Sequence, residues 1–308
     1  MPVRAAAALL LVAALAGCGS SGDSSSATTA AERLPGAGKP IIRLGTKNFT
    51  EQFVLGELYA QALRAQGFRV VLKQNVGGSE LIDKVMLAGG IDVYPEYIGV
   101  ITQELAGQKQ RPRSAAETFR RAKAFEEGRD FTLLRRTPGF DADANAVKPA
   151  FARRYGLRTT ADLAKVGHFR YGGPAENRTR FQGAVGLRQV YGLKRLEFVS
   201  LSIPTRYSAL DAGKIDVAAV FTTEGQLAER KKYVVLSDPK GIFGFQNIAP
   251  VVNRAALRRE GPAFTRTMNA VSATLTNKAL QDMNGDVDLR RQRPRDIARR
   301  FLRAHGLL

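Results

Sequence analysis

Leu87-Ala88-Gly89-Gly90-Ile91-Asp92-Val93 returns 124 positions later as Asp211-Ala212-Gly213-Lys214-Ile215-Asp216-Val217. In each copy the end of a helix-period segment meets a glycine and then a β-branched run, the junction expected of α/β architecture. Each run leads into a loop of aromatic and acidic groups: Tyr94-Pro95-Glu96-Tyr97 in the first copy, Phe221-Thr222-Thr223-Glu224 in the second. Two copies imply two lobes of similar build, although junctions of this kind are common and seven residues can match by chance. Ligands of open α/β sheets sit beyond the carboxyl ends of the strands. Both loops can therefore face one shared cleft.

Outward from the first copy, the pattern alternates strand and helix. Ile41 to Gly45 reads as a strand. Thr50 to Gln66 carries Phe53, Leu55, Leu58, Tyr59, Ala62 and Leu63 at helical spacing, with Thr50 as N-cap and Gly67 as stop. Phe68 to Gln74 reads as the next strand, a helix opens at Gly77-Gly78-Ser79-Glu80, and Ile91 to Tyr94 is a third strand.

Length and composition bound the rest. A chain of 308 residues can bury a sizeable core without crosslinks, and 44% hydrophobic with 24% charged residues excludes wholesale disorder. One cysteine and two histidines leave little for a metal cluster or a disulfide. Met1-Pro2-Val3-Arg4 and the apolar run Ala5 to Ala16 are too short for a permanent membrane span and read as a secretory leader over residues 1–17. Leu15-Ala16-Gly17-Cys18 resembles the bacterial lipobox, which implies lipidation of Cys18 and anchorage to a bacterial membrane, facing the periplasm or the exterior. Residues 18–40 are rich in Gly, Ser and Thr and read as a flexible tether. The formal charge is +19. In an exported protein that excess argues against nucleic acid as a partner, and reads as solvated arginine-rich faces or as attraction to an anionic surface.

Several segments together resemble the substrate-binding proteins of osmoprotectant (glycine betaine, choline, carnitine) ABC importers: Gly45 to Gln52, Leu55-Gly56-Glu57, Asp92 to Gly99, Thr179-Arg180, Tyr191-Gly192-Leu193, Phe221 to Gly225 and Ala249 to Val252. Their order is kept over residues 41–308. The resemblance implies an α/β, two-lobed type II periplasmic-binding-protein fold with a hinge and an interlobe ligand cleft. Lobe one would comprise residues 41–142 and 250–308, and lobe two residues 143–249. It implies a membrane-spanning permease with its ATPase as partner, no cofactor and no catalysis.

A quaternary ammonium donates no N–H hydrogen bond, so it is held by aromatic faces and carboxylates, each face contributing about 0.5–2 kcal/mol. Micromolar affinity needs about 8 kcal/mol, so a charged contact to the other end of a zwitterion must supply much of the rest. By resemblance, Arg180 and Lys47 meet a ligand carboxylate, Tyr97, Phe221 and Phe245 enclose the cation with Glu224 beside Phe221, and Glu176 either orients Arg180 or stabilises the closed state. Tyr207 faces the cleft or covers it. The chain departs from the family where Asp141-Ala142-Asp143-Ala144-Asn145 and Phe243-Gly244-Phe245-Gln246-Asn247 lack the expected tyrosines. Asp143, Asn145 and Gln246 then become polar contacts, which leaves room for a larger betaine such as ergothioneine. No GxSxG, HExxH, P-loop or GxGxxG stretch supports an enzyme, and a non-transport surface lipoprotein is the third class.

Overall fold

The computed structural model describes residues 33–108, 110–228 and 232–308; the leader and the lipobox-like Cys18 lie outside the described residues. Residues 34–40, assigned from sequence to the tether, are instead docked on the body. The Gly36 N–H bonds the Gln66 carbonyl and Lys39 Nζ reaches the Arg259 carbonyl. A Cβ at Gly36 would overlap the Phe68 backbone, so only glycine allows that approach.

Two five-stranded sheets carry the fold. The first collects β1 (Ile42–Lys47), β2 (Val70–Gly77), β3 (Val93–Tyr97) and β4 (Phe131–Leu133). The chain then builds a second sheet from β5 (Asp143–Val147), β6 (Phe169–Gly173), β7 (Leu196–Ser200), β8 (Val217–Phe221) and β9 (Val234–Leu236), before β10 (Ile248–Asn253) returns to the first. The orders β2-β1-β3-β10-β4 and β7-β6-β8-β5-β9 correspond position by position. In both sheets the fourth strand runs antiparallel to the third, β10 against β3 and β5 against β8.

The repeated heptapeptide occupies the same place in each sheet, which removes the chance reading. Gly89 and Gly213 end their helices at φ of 69° and 66°, where a side chain is strained. Asp92 accepts from the Arg43 backbone N–H and guanidinium at 2.7–2.9 Å, and Asp216 accepts from Arg170 in the same way at 2.8–3.0 Å. Ile91 packs where a Cβ on Gly45 would sit, and Ile215 does the same at Gly172. Each copy thus ties the start of one strand to the end of the neighbouring helix.

The helix Thr50–Ala65 lays Leu55, Leu58, Tyr59 and Leu63 onto the first sheet, in a core shared with Phe264, Met268 and Leu302 from the C-terminal helices. Its extended N-cap is Phe49, one residue before the expected Thr50, whose hydroxyl instead donates to Asp288. The second sheet has its own core around Phe169, Tyr171, Leu187 and Val217. Each such buried side chain is worth about 1.5–3 kcal/mol, so each lobe holds its own shape.

The chain passes between lobes at Asp141-Ala142 and again at Gln246-Asn247. Ile248 and Ala249, placed by sequence in lobe two, already pair with Tyr97 and Glu96 of the first sheet. Asn247 pins this second crossing by donating to the Thr137 and Gly139 carbonyls at 3.0 and 3.1 Å. The two lobes also meet where Gly225 touches the helix Asn277–Asp288: a Cβ on Gly225 would lie 2.3 Å from the Gly285 Cα. Gly225→Ala should therefore force the backbones apart and cost about 1–3 kcal/mol. Urea unfolding of the two proteins measures it, and equal midpoints would show that this contact yields freely.

Candidate functional site

The carboxyl ends of β1, β3 and β8 bring Lys47, Tyr97 and Phe221 to one small cavity of about 50 Å³ between the sheets. Asp143, Glu176, Arg180 and Gln246 line the same cavity, so seven of the eleven sequence-derived ligand candidates converge. Glu224 and Tyr207 line an adjoining cavity instead. Phe245, 38% exposed, lines a wide surface pocket. Asn145 faces the interior of lobe two, where it donates to Thr160 at 3.2 Å, and it lines none of these cavities. Strand alternation puts Asp143 and Asn145 on one face of β5, so position along the strand separates them: only Asp143, at its beginning, reaches the crossing.

The aromatic wall is built around a residue that the sequence left unassigned. Phe49 stacks on Tyr97 at 6.2 Å between centroids and tilts against Phe221 at 5.3 Å, bridging rings from the two lobes. It sits at the extended N-cap between β1 and the Thr50–Ala65 helix, and its only sequence signal was its place in the quoted Gly45 to Gln52 stretch.

The charged groups are already committed. Lys47 Nζ pairs with Glu96 and donates to Ser79 at 3.0 Å, with its ammonium 4.3 Å from the Tyr97 ring centroid. Burial lowers its pKa although Glu96 opposes that. Arg180 grips both carboxylate oxygens of Glu80 at 2.7 and 2.8 Å, an ion pair that joins the lobes. Gln246 spends its amide on the Val100 N–H and the Phe243 carbonyl, filling the space a side chain at Gly99 would need. Glu224 accepts from the fully buried Arg206 and, at 2.5 Å, from the Tyr207 hydroxyl, so Tyr207 covers this pair. Arg206 also lies 4.9 Å over the Phe221 ring. Its role had no signature among so many arginines.

Behind the rings lies a second network that sequence reasoning missed. Glu51 accepts from the Tyr97 hydroxyl at 2.8 Å, from Thr223 Oγ1 at 2.5 Å and from Asn284 Nδ2 at 3.0 Å. Asp141 accepts from the Thr223 backbone N–H at 3.0 Å. Burial raises the pKa of both carboxyls, and the charge of Glu51 pushes Asp141 up further. These groups lie far apart in sequence.

Asp143, like Glu176 in the same lining, has no side chain bonded to its carboxylate among the described residues. Burial pushes it up to about 6, with Arg180, Arg206 and Lys47 pulling the other way.

A family described as "Substrate binding domain of ABC-type glycine betaine transport system" matches residues 40–304. The glycine-betaine-binding protein of Pseudomonas aeruginosa is 30% identical over 281 residues, covering 87% of this chain and 88% of that protein. The chain belongs to this family of substrate-binding domains. It is also similar to the ergothioneine transport permease/ergothioneine binding protein of Helicobacter pylori, at 27% identity over 87% of this chain and 48% of that longer protein. The crystal structure of a glycine betaine/carnitine/choline ABC transporter protein superposes with a TM-score of 0.70 at 21% identity, covering 86% of this chain and 99% of that one. Apo YehZ from Escherichia coli superposes at 0.63 and 23% identity, covering 87% of this chain and 99% of that one. The two-lobed fold expected from the sequence is thus the fold of the substrate-binding domain.

The substrate-binding domain should carry a pH signature from Asp143. With a folded-state pKa above the ordinary carboxylate value near about 4, the folded chain holds this proton more tightly than the unfolded one. The cost of ionising it is absent below about pH 4 and grows as pH rises through 6. Asp143→Asn should match wild type in stability at low pH and exceed it by about 1–3 kcal/mol at pH 8. Thermal unfolding against pH reads this; a difference independent of pH would show that Asp143 is already ionised without penalty.

Proposed function

We propose that this chain is the extracytoplasmic solute-binding component of an ABC importer. It captures a quaternary-ammonium zwitterion such as glycine betaine or carnitine, or the cation choline, between its lobes and delivers it to a permease driven by an ATPase. The observation that carries this reading is the convergence of Arg180 with the Tyr97, Phe49 and Phe221 rings on one interlobe cavity. A guanidinium fork reads a carboxylate bidentately, and aromatic rings accept a cation that can donate no hydrogen bond. The chain binds and releases; no bond is made or broken. The lipobox-like end of the leader supports anchorage through Cys18.

In the arrangement observed, the cavity has room for a few waters, so a betaine enters only when the lobes part. Glu80 fills the fork that a ligand carboxylate would take, and the Arg180–Glu80 pair joins the two lobes. Exchange of one carboxylate for the other then couples ligand capture to lobe movement. Lys47 contributes less directly than the resemblance implies, because its charge is balanced by Glu96.

A second reading rests on Asp143. A partly buried carboxylate without a side-chain partner favours a ligand with an N–H or O–H donor, which a larger betaine such as ergothioneine carries and glycine betaine does not. Asn145, turned into lobe two, has no part in it.

Calorimetric titration with glycine betaine, choline and ergothioneine separates these readings. Arg180→Ala should cost about 2–5 kcal/mol of glycine betaine binding and much less of choline binding, with Arg180→Lys restoring part of the loss. Glu80→Gln should raise the ratio of glycine betaine to choline affinity, since any effect on lobe closure acts on both ligands and cancels. Equal losses for both ligands in Arg180→Ala would assign the arginine to closure alone. For the anchor, Cys18→Ser should release the exported protein from membranes; a serine variant that still takes up a lipid label would refute lipidation there.

A further inference from the structure

The helix Pro294–Ala304 concentrates the chain's positive charge on one face. Between Leu289 and His305 the sequence has seven arginines against one acid, Asp296. Ile297, Ala298 and Leu302 of this helix are buried in the core of the first lobe. At 3.6 residues per turn, Arg295, Arg299 and Arg303 then stand in a row on the outer side, one turn apart. All three are exposed, as is Arg291 just before the helix.

Other helices of this chain place an acid one turn from an exposed cation. The helix Ala115–Glu127 pairs Arg121 with Glu117 and Lys123 with Glu127, and the helix Asn277–Asp288 pairs Lys278 with Asp282. In the outer row of the helix Pro294–Ala304 the neighbour one turn away is another arginine, and like charges at that spacing weaken a helix. Arg290, Arg293 and Arg300 find carboxylates, but among the described residues Arg291, Arg295, Arg299 and Arg303 form no ion pair. A row that weakens its own helix and satisfies no group inside the chain points to an anionic partner outside it.

That partner is a surface. Arg295, Arg299 and Arg303 line neither the cleft nor the cavities beside it, so nothing encloses a small anion there. Their Cα atoms span about 12 Å of helix. Exposed leucines stand at both ends of the stretch, Leu289 and Leu308, a mixture of basic and apolar groups suited to a lipid headgroup layer.

The path of the chain favours a bilayer over a soluble polyanion. Gly36, near the start of the body, bonds the Gln66 carbonyl, and Gln61 donates to the Arg295 carbonyl at 2.9 Å. Gln61 and Gln66 are about 7.5 Å apart along their helix, so the chain enters the body close to the first turn of the arginine helix. A lipid on Cys18, 16 positions before Leu34, would draw that entry point toward the membrane. This second support rests on the anchor proposed above; the arginine row stands without it.

We propose that the face formed by Arg295, Arg299 and Arg303 docks the body on a bilayer of anionic lipid. The guanidinium forks meet headgroup phosphates. Residence on the bilayer keeps the chain near a membrane-embedded permease and raises its effective concentration there.

The test compares binding of the full chain to vesicles of phosphatidylcholine alone and of phosphatidylcholine with about one-third phosphatidylglycerol. The readout is the ratio of the two affinities, in which apolar contributions from residues 1–17 cancel. Wild type should favour the anionic vesicles at least about thirtyfold at low salt, and about 0.5 M salt should abolish the preference. Each arginine near such a surface is worth about fivefold, so Arg295→Glu, Arg299→Glu and Arg303→Glu together should remove the preference. Three lysines at these positions should keep it within about fivefold. Arg153→Glu, Arg154→Glu and Arg158→Glu, exposed in lobe two and equal in net charge, should also leave it within about fivefold. Equal losses in the two glutamate variants would reduce the effect to net charge and overturn the proposal. So would the absence of any anionic preference in wild type. Retained vesicle preference with lost betaine uptake by cells, in the Arg295/Arg299/Arg303 glutamate variant, would assign the face to the permease and also overturn it. Arg299→Glu alone, which should lower the preference at least about fivefold, keeps the proposal testable if the triple variant fails to fold.

Discussion

The bond from the Tyr97 hydroxyl to Glu51, continued through Thr223 and Asn284, is the constraint on which the site's arrangement depends. Tyr97 ends β3 of the first sheet, and Thr223 follows β8 of the second, so one buried carboxylate fixes the loops of both repeated units relative to each other. Phe49 lies between them and takes its position from the same contact, stacked on Tyr97 and tilted on Phe221. Carboxylates buried with neutral donors are costly. Glu51 and Asp141 meet that cost by binding protons more tightly than exposed acids do.

Charge is handled differently on the two sides of this hub. Toward the cleft, each cation has an internal partner: Lys47 has Glu96, Arg180 has Glu80, and Arg206 has Glu224. The pairs are not equivalent. Lys47 and Arg206 are almost fully buried, so removing either partner would strand a charge. The Glu80 side chain is half exposed, and a solvent-facing pair of this kind contributes about 0–1 kcal/mol. Arg180 is therefore the cation whose partner exchanges most cheaply, which suits a group that meets incoming solutes. Away from the cleft, Glu51, Asp141 and Asp288 are bonded to neutral donors instead.

The aromatic side of the site is thinner than a ring of tyrosines would be. Its hydroxyls are few, and the Tyr97 hydroxyl is turned to Glu51. Asp143 supplies polarity where the strand leaves the crossing, close enough to Arg180 and Lys47 for their charges to act on it. The cavity is thus lined by rings, one exchangeable guanidinium, Glu176 and a carboxyl, Asp143, whose pKa burial raises to about 6.

What the sequence determined by itself was periodic or repeated. The heptapeptide ending at Val93 and at Val217 encodes a glycine stop, an isoleucine that fills the space over Gly45 or Gly172, and an aspartate that holds Arg43 or Arg170. Such local requirements leave a pattern in neighbouring residues, and so the two lobes, the helix from Thr50 and the cleft positions Tyr97, Phe221 and Arg180 were legible. The tertiary structure decided what depends on contacts between distant segments. Only folding brings Asn284 to Glu51, 233 residues away, sets Glu80 against Arg180, 100 residues away, and commits Lys47 to Glu96. It also turned Asn145 inward, closed Tyr207 over the Arg206–Glu224 pair and moved the second crossing back to Gln246-Asn247. A side chain's chemistry can be read from its type, but its partner is set by which strands and helices pack together, and no single stretch of chain contains that information.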